Sequence, residues 1–306
     1  MNVIWVATDN NKNGTYIQTK PEVLCLVSCL SFIKHYYPSW KTYFYVDKWT
    51  KEYYSQFGIL DLFDTVDDKL LDNIQDINID VFWAAGKIIA QRNTPGPTLT
   101  IDLDMRIFHD IQSLGFLDGD ISCLWLEIMN EHYISHEKAL QGTNLSMDFE
   151  WDNKALNVSI LHIKNEWFKN LYCDTAIEYM KAASKILNKP SYTKFEKDGY
   201  ILFAEQYLLH ELSKKYNQQI KLFVSDYRDF IDLPSYITSI DNTYMQTGRY
   251  LFHYAGGKVD MRERKPLYYS ELSHMNAVTN NIIKDEKMLS VFNKIYNMSD
   301  DERCFC

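Results

Sequence analysis

Two carboxylates, Asp102 and Asp104, stand one residue apart directly after a short β-prone apolar run, Thr98 to Ile101. Alternate residues of an extended chain share a face, so this spacing predicts that both carboxylates point the same way. Hard oxygen donors at the carboxyl end of a buried strand suit a divalent cation that holds phosphate oxygens. Because Asp-x-Asp is short and common, an ordinary solvated strand end is the alternative interpretation.

A second group capable of chemistry is Glu205-Gln206, which follows Asp198-Gly199 and is predicted to open a helix. A carboxylate or amide there can project towards a sugar ring, where it could stabilise a developing oxocarbenium ion or act as a nucleophile. Glu205 could equally remove the proton of an acceptor hydroxyl as a general base. The alternative is a first-turn acid that complements the helix dipole.

The composition sets limits on the class of protein. The 306 residues are 46% hydrophobic and 15% aromatic, with a formal net charge of -9. These values predict an ordered globular protein without the usual electrostatic footprint of a nucleic-acid binder. Six cysteines without a Cys-x-x-Cys pair predict reduced core thiols. No apolar run reaches the roughly 20 residues of a membrane span, so we expect a soluble cytoplasmic protein, in the host cytoplasm if it is viral.

Predicted strands and helices alternate along the chain. This alternation predicts an α/β fold with a mostly parallel sheet flanked by helices. The pattern becomes helical near the end, which predicts a main domain over 1–260 and a helical C-terminal extension and tail over 261–306. The predicted strands are Val3 to Thr8, Thr42 to Val46, Ser122 to Ile128, Leu156 to Ile163 and Ile220 to Val224, and the predicted helices start near Pro21, Phe82, Glu166 and Tyr200.

A series of short motifs follows the chain in a fixed order. They are the first strand with its polar loop, Phe82-Trp83-Ala84-Ala85-Gly86-Lys87, Asp102-Leu103-Asp104, Leu156-Asn157-Val158-Ser159-Ile160, Glu205-Gln206 and His253-Tyr254-Ala255-Gly256-Gly257-Lys258. In this order the chain resembles the GT-A nucleotide-sugar glycosyltransferases over about residues 1–260. It is most similar to their retaining glycogenin-like and lipopolysaccharide galactosyltransferase group. The resemblance implies a GT-A, Rossmann-like α/β fold.

The same resemblance implies an activity and a set of site residues. The activity is metal-dependent transfer of a sugar from a nucleotide-sugar donor, expected to be a UDP-sugar, to a hydroxyl acceptor. The metal, Mn²⁺ or Mg²⁺, would offset charge on the leaving diphosphate. The implied metal ligands are Asp102, Asp104 and His253; the implied donor-binding residues are Ala7, Thr8, Asp9, Lys87, Asp102, Gly256 and Lys258; and the implied catalytic residues are Asn157, Glu205 and Gln206.

Other functions remain open at this point. Haloacid-dehalogenase-like Mg-dependent phosphatases also carry Asp-x-Asp at a strand end, but on their first strand and with Thr or Val where this chain has Arg106. A carbohydrate-binding protein could keep a transferase fold without turnover. The acceptor could also be a modified base in viral DNA, although the net charge opposes DNA binding.

Overall fold

The computed structural model describes residues 1–9, 18, 20–107, 110–129, 133–187, 192–223, 251–253, 276, 279–281 and 283–299. Strands in these residues are β1 Asn2–Ala7, β2 Lys41–Val46, β3 Thr65–Asp67, β4 Thr98–Ile101, β5 Met105–Ile107, β6 Ile121–Cys123, β7 Leu126–Ile128, β8 Lys154–Leu156, β9 Ile160–Ile163, β10 Ile220–Leu222 and β11 Leu251–His253. The helices are α1 Lys20–Tyr36, α2 Lys48–Ser55, α3 Ala85–Asn93, α4 His136–Leu140, α5 Glu166–Ile186, α6 Lys194–Leu202, α7 Leu208–Lys215 and α8 Glu286–Tyr296, and a π-helical turn, Phe203–Tyr207, joins α6 to α7.

The main sheet has seven strands in the order β10-β6-β9-β4-β1-β2-β3. Neighbours pair in parallel except β9, which runs antiparallel to both β4 and β6. Two ribbons, β5 with β11 and β7 with β8, stand apart from this sheet. The predicted α/β fold with a mostly parallel sheet is therefore confirmed.

Helices cover both faces of the sheet, and β1 shows how the chain fills the two layers. Val3 and Trp5 belong to a core shared with α1 and α8, whereas Ile4, between them, packs on Ala90 of α3. Alternate strand residues face opposite sides, so a buried β1 must be apolar at every position. Helix α1 is buried nearly throughout because α8 and β5 contact it as well as the sheet.

Two of the predicted strands are each divided in the structure. The chain leaves the main sheet after β6 and returns to it at β9. Between these points, β7 and β8 pair with each other as a separate ribbon. Asn157 continues the pairing at the crossing, since its N–H donates to the carbonyl of Trp125 at 2.9 Å and its carbonyl accepts the N–H of Leu124 at 3.1 Å. The ribbon carries Glu127 and Asn157 beyond the sheet edge.

The C-terminal region contributes to the main core. Phe292 and Ile295 of α8 are buried against α1, and the Lys20 ammonium donates to the carbonyl of Met298 at 2.7 Å. A division of the chain at residue 260 stays a prediction. Among the described residues, no helix combines the length and apolarity that a membrane crossing requires.

We expect Gly199→Ala in α6 to lower the free energy of unfolding by about 1–3 kcal/mol, because overpacking strains a filled core. A Cβ at Gly199 would lie 2.6 Å from Ile134 Cγ2. Urea unfolding measures the change, and Lys194→Ala, at an exposed position of the same helix, is the control. Helix propensity alone favours alanine by about 1 kcal/mol, so a stabilised Gly199→Ala variant would contradict this packing.

Candidate active site

The site lies where the parallel strands β1 and β4 end side by side. Ala7, the last residue of β1, and Asp9 are buried. Their backbone is held by α2 and its N-cap residue: Thr50 Oγ1 donates to the Ala7 carbonyl at 2.9 Å, and the Asp9 N–H donates to Asp47 at 2.5 Å. Thr8 is half-buried between them. The structure thus brings the predicted nucleoside-binding segment and the Asp-x-Asp segment to one sheet edge, where open α/β sheets bind ligands.

Asp102 and Asp104 occupy a turn rather than an extended strand end. The Asp102 N–H still donates to the carbonyl of Ser159, the residue before β9, at 2.8 Å, but the Met105 N–H then donates back to the Asp102 carbonyl at 3.0 Å. The prediction of simple strand alternation over these residues was wrong. Pairing with β9 ends at Asp102, and the chain must reverse into β5. Asp104 is buried, whereas the Asp102 side chain is 30% exposed.

Strand β11 brings His253 to this turn. In the antiparallel β5–β11 ribbon the backbone of His253 lies opposite Met105, the residue after Asp104. The two parts of the predicted metal site, about 150 residues apart in the sequence, are therefore neighbours along the ribbon. The His253 side chain, Gly256 and Lys258 lie outside the described part of the structure, and their predicted roles stay predictions.

Lys87 joins the Asp-x-Asp turn to the second predicted group. Its ammonium lies 2.6 Å from Asp102 Oδ1 and 2.9 Å from Glu205 Oε1, and it donates to the Val158 carbonyl at 2.8 Å. The Lys87 side chain is 12% exposed and that of Glu205 6%. A lysine that only extended its ammonium into solvent would not bond to two carboxylates and a backbone carbonyl at once, so Lys87 is part of the site.

Close packing of α3 on β1 places Lys87 at this position. A Cβ at Gly86 would lie 3.0 Å from Thr8 Cγ2 and 3.5 Å from Val6 Cγ1. A side chain there would require Thr8 to shift, so glycine suits this close approach of the first turn of α3 to the end of β1. The glycine before Lys87 therefore has a packing reason that fits the position of the lysine above the sheet edge.

Glu205 and Gln206 lie in the middle of a helical stretch, within the π-helical turn between α6 and α7, and both are buried. Their predicted place at a helix start was wrong. The stretch begins earlier, at a capping box in which Thr193 Oγ1 accepts the Glu196 N–H, and Gly199 continues the helix. Thr-x-x-Glu is a sequence signal for such a start. The first-turn role for Glu205 is thereby excluded.

The π turn has a visible hydrogen-bonding consequence. Tyr172 of α5 donates its hydroxyl proton to the backbone carbonyl of Glu205 at 2.9 Å. Inserting a residue widens the turn and interrupts the regular helical ladder, and single π turns often occur at functional sites. The insertion changes the directions of Glu205 and Gln206, so that one meets Lys87 and the other meets Tyr133.

Asn157 belongs to a hydrogen-bonded group built around Glu127, which the sequence patterns did not single out. Asn157 Nδ2 donates to Glu127 Oε1 at 2.7 Å, and Trp125 Nε1 donates to the same oxygen at 3.1 Å. Tyr133 contacts both Glu127 Oε2 and Gln206 Oε1, the latter at 2.8 Å. Glu127 lies in β7 and is completely buried. Alternation in a short strand gives no sign that a glutamate faces inward.

Burial and charge act in opposite directions on the central ion pairs. Burial alone would lower the pKa of Lys87, but the carboxylates of Asp102 and Glu205 outweigh it and raise that pKa above its ordinary value. Burial raises the pKa of Glu205 above 4.5, Lys87 opposes this rise, and Asp102 adds to it. One ammonium thus serves two carboxylates, and Glu205 takes up a proton more readily than a glutamate in water.

Another group of possible metal ligands lies where α7 meets Asp152, which precedes β8. Among the described residues, Asp152, His210 and Glu211 place ligand atoms within 4.8 Å of one another. The Lys214 ammonium lies 3.2 Å from Asp152 Oδ2 and 3.0 Å from Glu211 Oε2, and His210 Nε2 lies 3.2 Å from Asp152 Oδ1. The Lys214 ammonium already contacts both carboxylates, so we interpret this group as an internal ion-pair cluster.

Comparison with known proteins places the chain in a family. The model of DUF6734, a family of unknown function, matches residues 3–274. The chain belongs to this family. No curated protein matches it in sequence.

Three solved structures similar to this DUF6734 protein are named as transferases. The apo-form glycosyltransferase GlyE from Streptococcus pneumoniae TIGR4 is 12% identical with a TM-score of 0.42, and the match covers 92% of this chain and 62% of GlyE. The galactosyltransferase LgtC, solved with donor and acceptor sugar analogues, is 14% identical with a TM-score of 0.43 and coverages of 95% and 100%. Mouse xyloside xylosyltransferase 1 is 10% identical with a TM-score of 0.40 and coverages of 84% and 99%.

These neighbours are GT-A glycosyltransferases, but at such identities and TM-scores the likeness carries nothing about the activity of the DUF6734 protein. The predicted fold class is confirmed by the chain's own sheet, with its mostly parallel order and flanking helices. Only the residues of the site itself bear on its chemistry.

We expect Lys87→Met to lower the free energy of unfolding at pH 7 by about 3–5 kcal/mol, because it leaves the buried carboxylate of Glu205, with Asp102 beside it, without a cation. Lys87 opposes the raised pKa of Glu205, so in the variant Glu205 should take up its proton above pH 4.5, and part of this loss should disappear as the pH falls towards 4.5. Urea unfolding at several pH values measures both effects.

Lys181→Met, at an exposed position of α5, is the control for loss of a lysine and should change stability by less than about 0.5 kcal/mol. Equal stability of Lys87→Met and the wild type at pH 7 would show that the ammonium does not hold Asp102 and Glu205. A loss that is the same at all pH values would point to lost packing instead of lost charge.

Proposed function

We propose that this DUF6734 protein is a metal-dependent glycosyltransferase that moves a sugar from a UDP-sugar to a hydroxyl acceptor. The observation that carries the proposal is the simultaneous bonding of Lys87 to Asp102, beyond strand β4, and to Glu205, in the π turn. Sugar transfer needs one set of groups at the leaving diphosphate and another at the sugar ring. The Lys87 ammonium contacts a candidate from each set: Asp102 for the diphosphate and Glu205 for the sugar ring.

On the diphosphate side, Asp102, Asp104 and His253 would hold Mn²⁺ or Mg²⁺. The donor set fits such an ion, since carboxylate oxygens bind both metals and an imidazole favours Mn²⁺. The β5–β11 register supports the fit because it places the His253 backbone beside the Asp104 turn. When bound, the ion would act as a Lewis acid towards the leaving diphosphate.

The chain's own residues would do the remaining work on the donor. Ala7, Thr8 and Asp9 would line the nucleoside pocket at the end of β1. The Lys87 ammonium, which has an elevated pKa, stays protonated at neutral pH and adds positive charge where phosphate charge builds up. Gly256 and Lys258 would complete the phosphate side, as the sequence resemblance implies.

On the sugar side, Glu205 and Gln206 would face the anomeric carbon. An ionised Glu205 can stabilise positive charge on the ring or, in the inverting case, accept the proton of the acceptor hydroxyl. Its raised pKa brings it nearer to the working range of a general base. Asn157 would act by holding this side of the site, because both ends of its amide are already bonded within the protein.

The alternative functions have less support. In a haloacid-dehalogenase-like phosphatase the first aspartate of the motif is the nucleophile and follows the first strand, whereas Asp102 follows β4 and its Oδ1 is held by Lys87. The described surface gives no specific support for a nucleic-acid acceptor. A carbohydrate-binding protein without turnover would show a thermal shift with UDP and Mn²⁺ but no release of UDP from a sugar nucleotide.

We expect UDP with Mn²⁺ to raise the thermal unfolding midpoint by a few degrees, since a ligand at 100 times its Kd stabilises the native state by about 2.7 kcal/mol. Asp104→Ala should abolish the metal-dependent part of this shift. Asp152→Ala is the matched control, because it removes an acid from the cluster of Asp152, His210 and Glu211 and should leave the shift unchanged. Differential scanning fluorimetry with UDP and Mn²⁺, alone and together, gives the comparison.

Release of UDP from UDP-glucose or UDP-galactose then distinguishes the functions. The proposal expects Mn²⁺-dependent release that Asp104→Ala reduces at least 100-fold. A thermal shift without any release would indicate a binding protein. Absence of a shift with every nucleotide tested, or a shift lost in Asp152→Ala and kept in Asp104→Ala, would overturn the proposal.

A further inference from the structure

Glu127 is a completely buried carboxylate that receives hydrogen bonds on both oxygens. Oε1 accepts from Asn157 Nδ2 at 2.7 Å and from Trp125 Nε1 at 3.1 Å, and Oε2 meets the hydroxyl of Tyr133. Indole and amide nitrogens can only donate, so Oε1 must be an acceptor. Burial opposes ionisation of a carboxyl and donated hydrogen bonds favour it, and the proton count below applies to the ionised form of Glu127.

The amide of Asn157 has no freedom to turn over. Its Oδ1 accepts the backbone N–H of Ser159 at 3.2 Å and also lies 2.8 Å from Ser159 Oγ. Because a backbone N–H is always a donor, Oδ1 must face Ser159 and Nδ2 must face Glu127. The direction of these two hydrogen bonds to Oε1 is therefore fixed by the covalent chemistry of the partners.

Tyr133 has one hydroxyl proton and two neighbours that would each accept it, Glu127 Oε2 and Gln206 Oε1. It cannot donate to both. Burial raises the pKa of Tyr133 and the charge of Glu127 adds to the rise, so the hydroxyl keeps its proton. With Glu127 ionised, that proton goes to the carboxylate, and the tyrosine oxygen is left to accept.

The proton count then decides which end of the Gln206 amide faces Tyr133. A planar carboxamide can turn by 180° and exchange Oε1 with Nε2 without changing its shape. Turned in this way, Gln206 donates from Nε2 to the Tyr133 oxygen across the same 2.8 Å. Oε1 then occupies the position that Nε2 held before the turn. At that position the described residues provide no hydrogen-bond partner.

We propose that Glu127 is a positioning residue that acts through Tyr133 to turn the carboxamide oxygen of Gln206 towards the donor sugar. The inference rests on the proposed function, because it assigns the sugar side of the same site. A carbonyl oxygen can accept a hydrogen bond from a sugar hydroxyl and lies favourably beside positive charge on the ring. An amide N–H at that place would do neither.

Glu127→Gln tests the proposal because it should reverse the chain of hydrogen bonds. Trp125 and Asn157 still require an acceptor, so the new amide must keep its oxygen towards them and offer its NH₂ to Tyr133. Tyr133 would then donate to Gln206 Oε1 and turn Nε2 towards the sugar. We expect kcat for UDP release from UDP-glucose or UDP-galactose to fall about 100-fold with little change in KM.

Tyr133→Phe should remove the relay itself. It should lower kcat by itself, and Glu127→Gln should cause no further loss of kcat in the Tyr133→Phe background. Tyr179→Phe is the matched control: Tyr179 is another buried tyrosine, and its hydroxyl has no hydrogen-bond partner among the described residues. It should keep the wild-type kcat. Urea unfolding of each variant confirms that the assays report on folded protein.

The outcomes separate this proposal from the proposed function. If the wild type releases no UDP from either sugar nucleotide, the proposed function fails before the variants are compared. If the wild type is active and Glu127→Gln keeps its kcat, the positioning role is overturned. Equal losses from Glu127→Gln in the wild-type and Tyr133→Phe backgrounds would show that Glu127 acts without the relay, and this too contradicts the proposal.

Discussion

The buried ammonium of Lys87 between two carboxylates is the interaction on which the candidate site depends. Charges removed from water must be paired at close range, or their desolvation destabilises the fold. Lys87 comes from α3, Asp102 from the turn after β4 and Glu205 from the π turn, so one cation fixes three separate elements at one place. Gly86 permits the approach of α3 that makes these contacts possible.

Around that contact the site divides into two chemically different parts. The part at the ends of β1 and β4 offers backbone, carboxylates and the ribbon that carries His253, which suits a nucleotide and a cation. The part formed by β7, β8 and the π turn offers Glu205, Gln206 and the hydrogen-bonded group around Glu127. The antiparallel strand β9 separates β4 from β6, and the ribbon brings its polar residues back over the sheet edge.

Much of this arrangement follows from sequence patterns, because long apolar periods and chain order determine a layered α/β fold. The helix over Glu166–Ile186 and the strand over Asn2–Ala7 match their predictions closely. Local geometry does not follow from them. Helical periodicity over 194–215 cannot show an inserted π residue, and alternation after Ile101 cannot show a turn that depends on where pairing with β9 stops. Glu127 and Tyr133 were missed since only the tertiary fold places them against Asn157 and Gln206.

Anomalous diffraction at the manganese absorption edge, from crystals grown with UDP and Mn²⁺, tests the central claim most directly. That claim is that the Asp102 turn and Lys87 form the diphosphate side of a donor site. The account predicts a manganese peak at the carboxylates of Asp102 and Asp104, with the UDP diphosphate beside Lys87. A peak at the Asp152 cluster instead, or UDP bound away from Lys87, would contradict it.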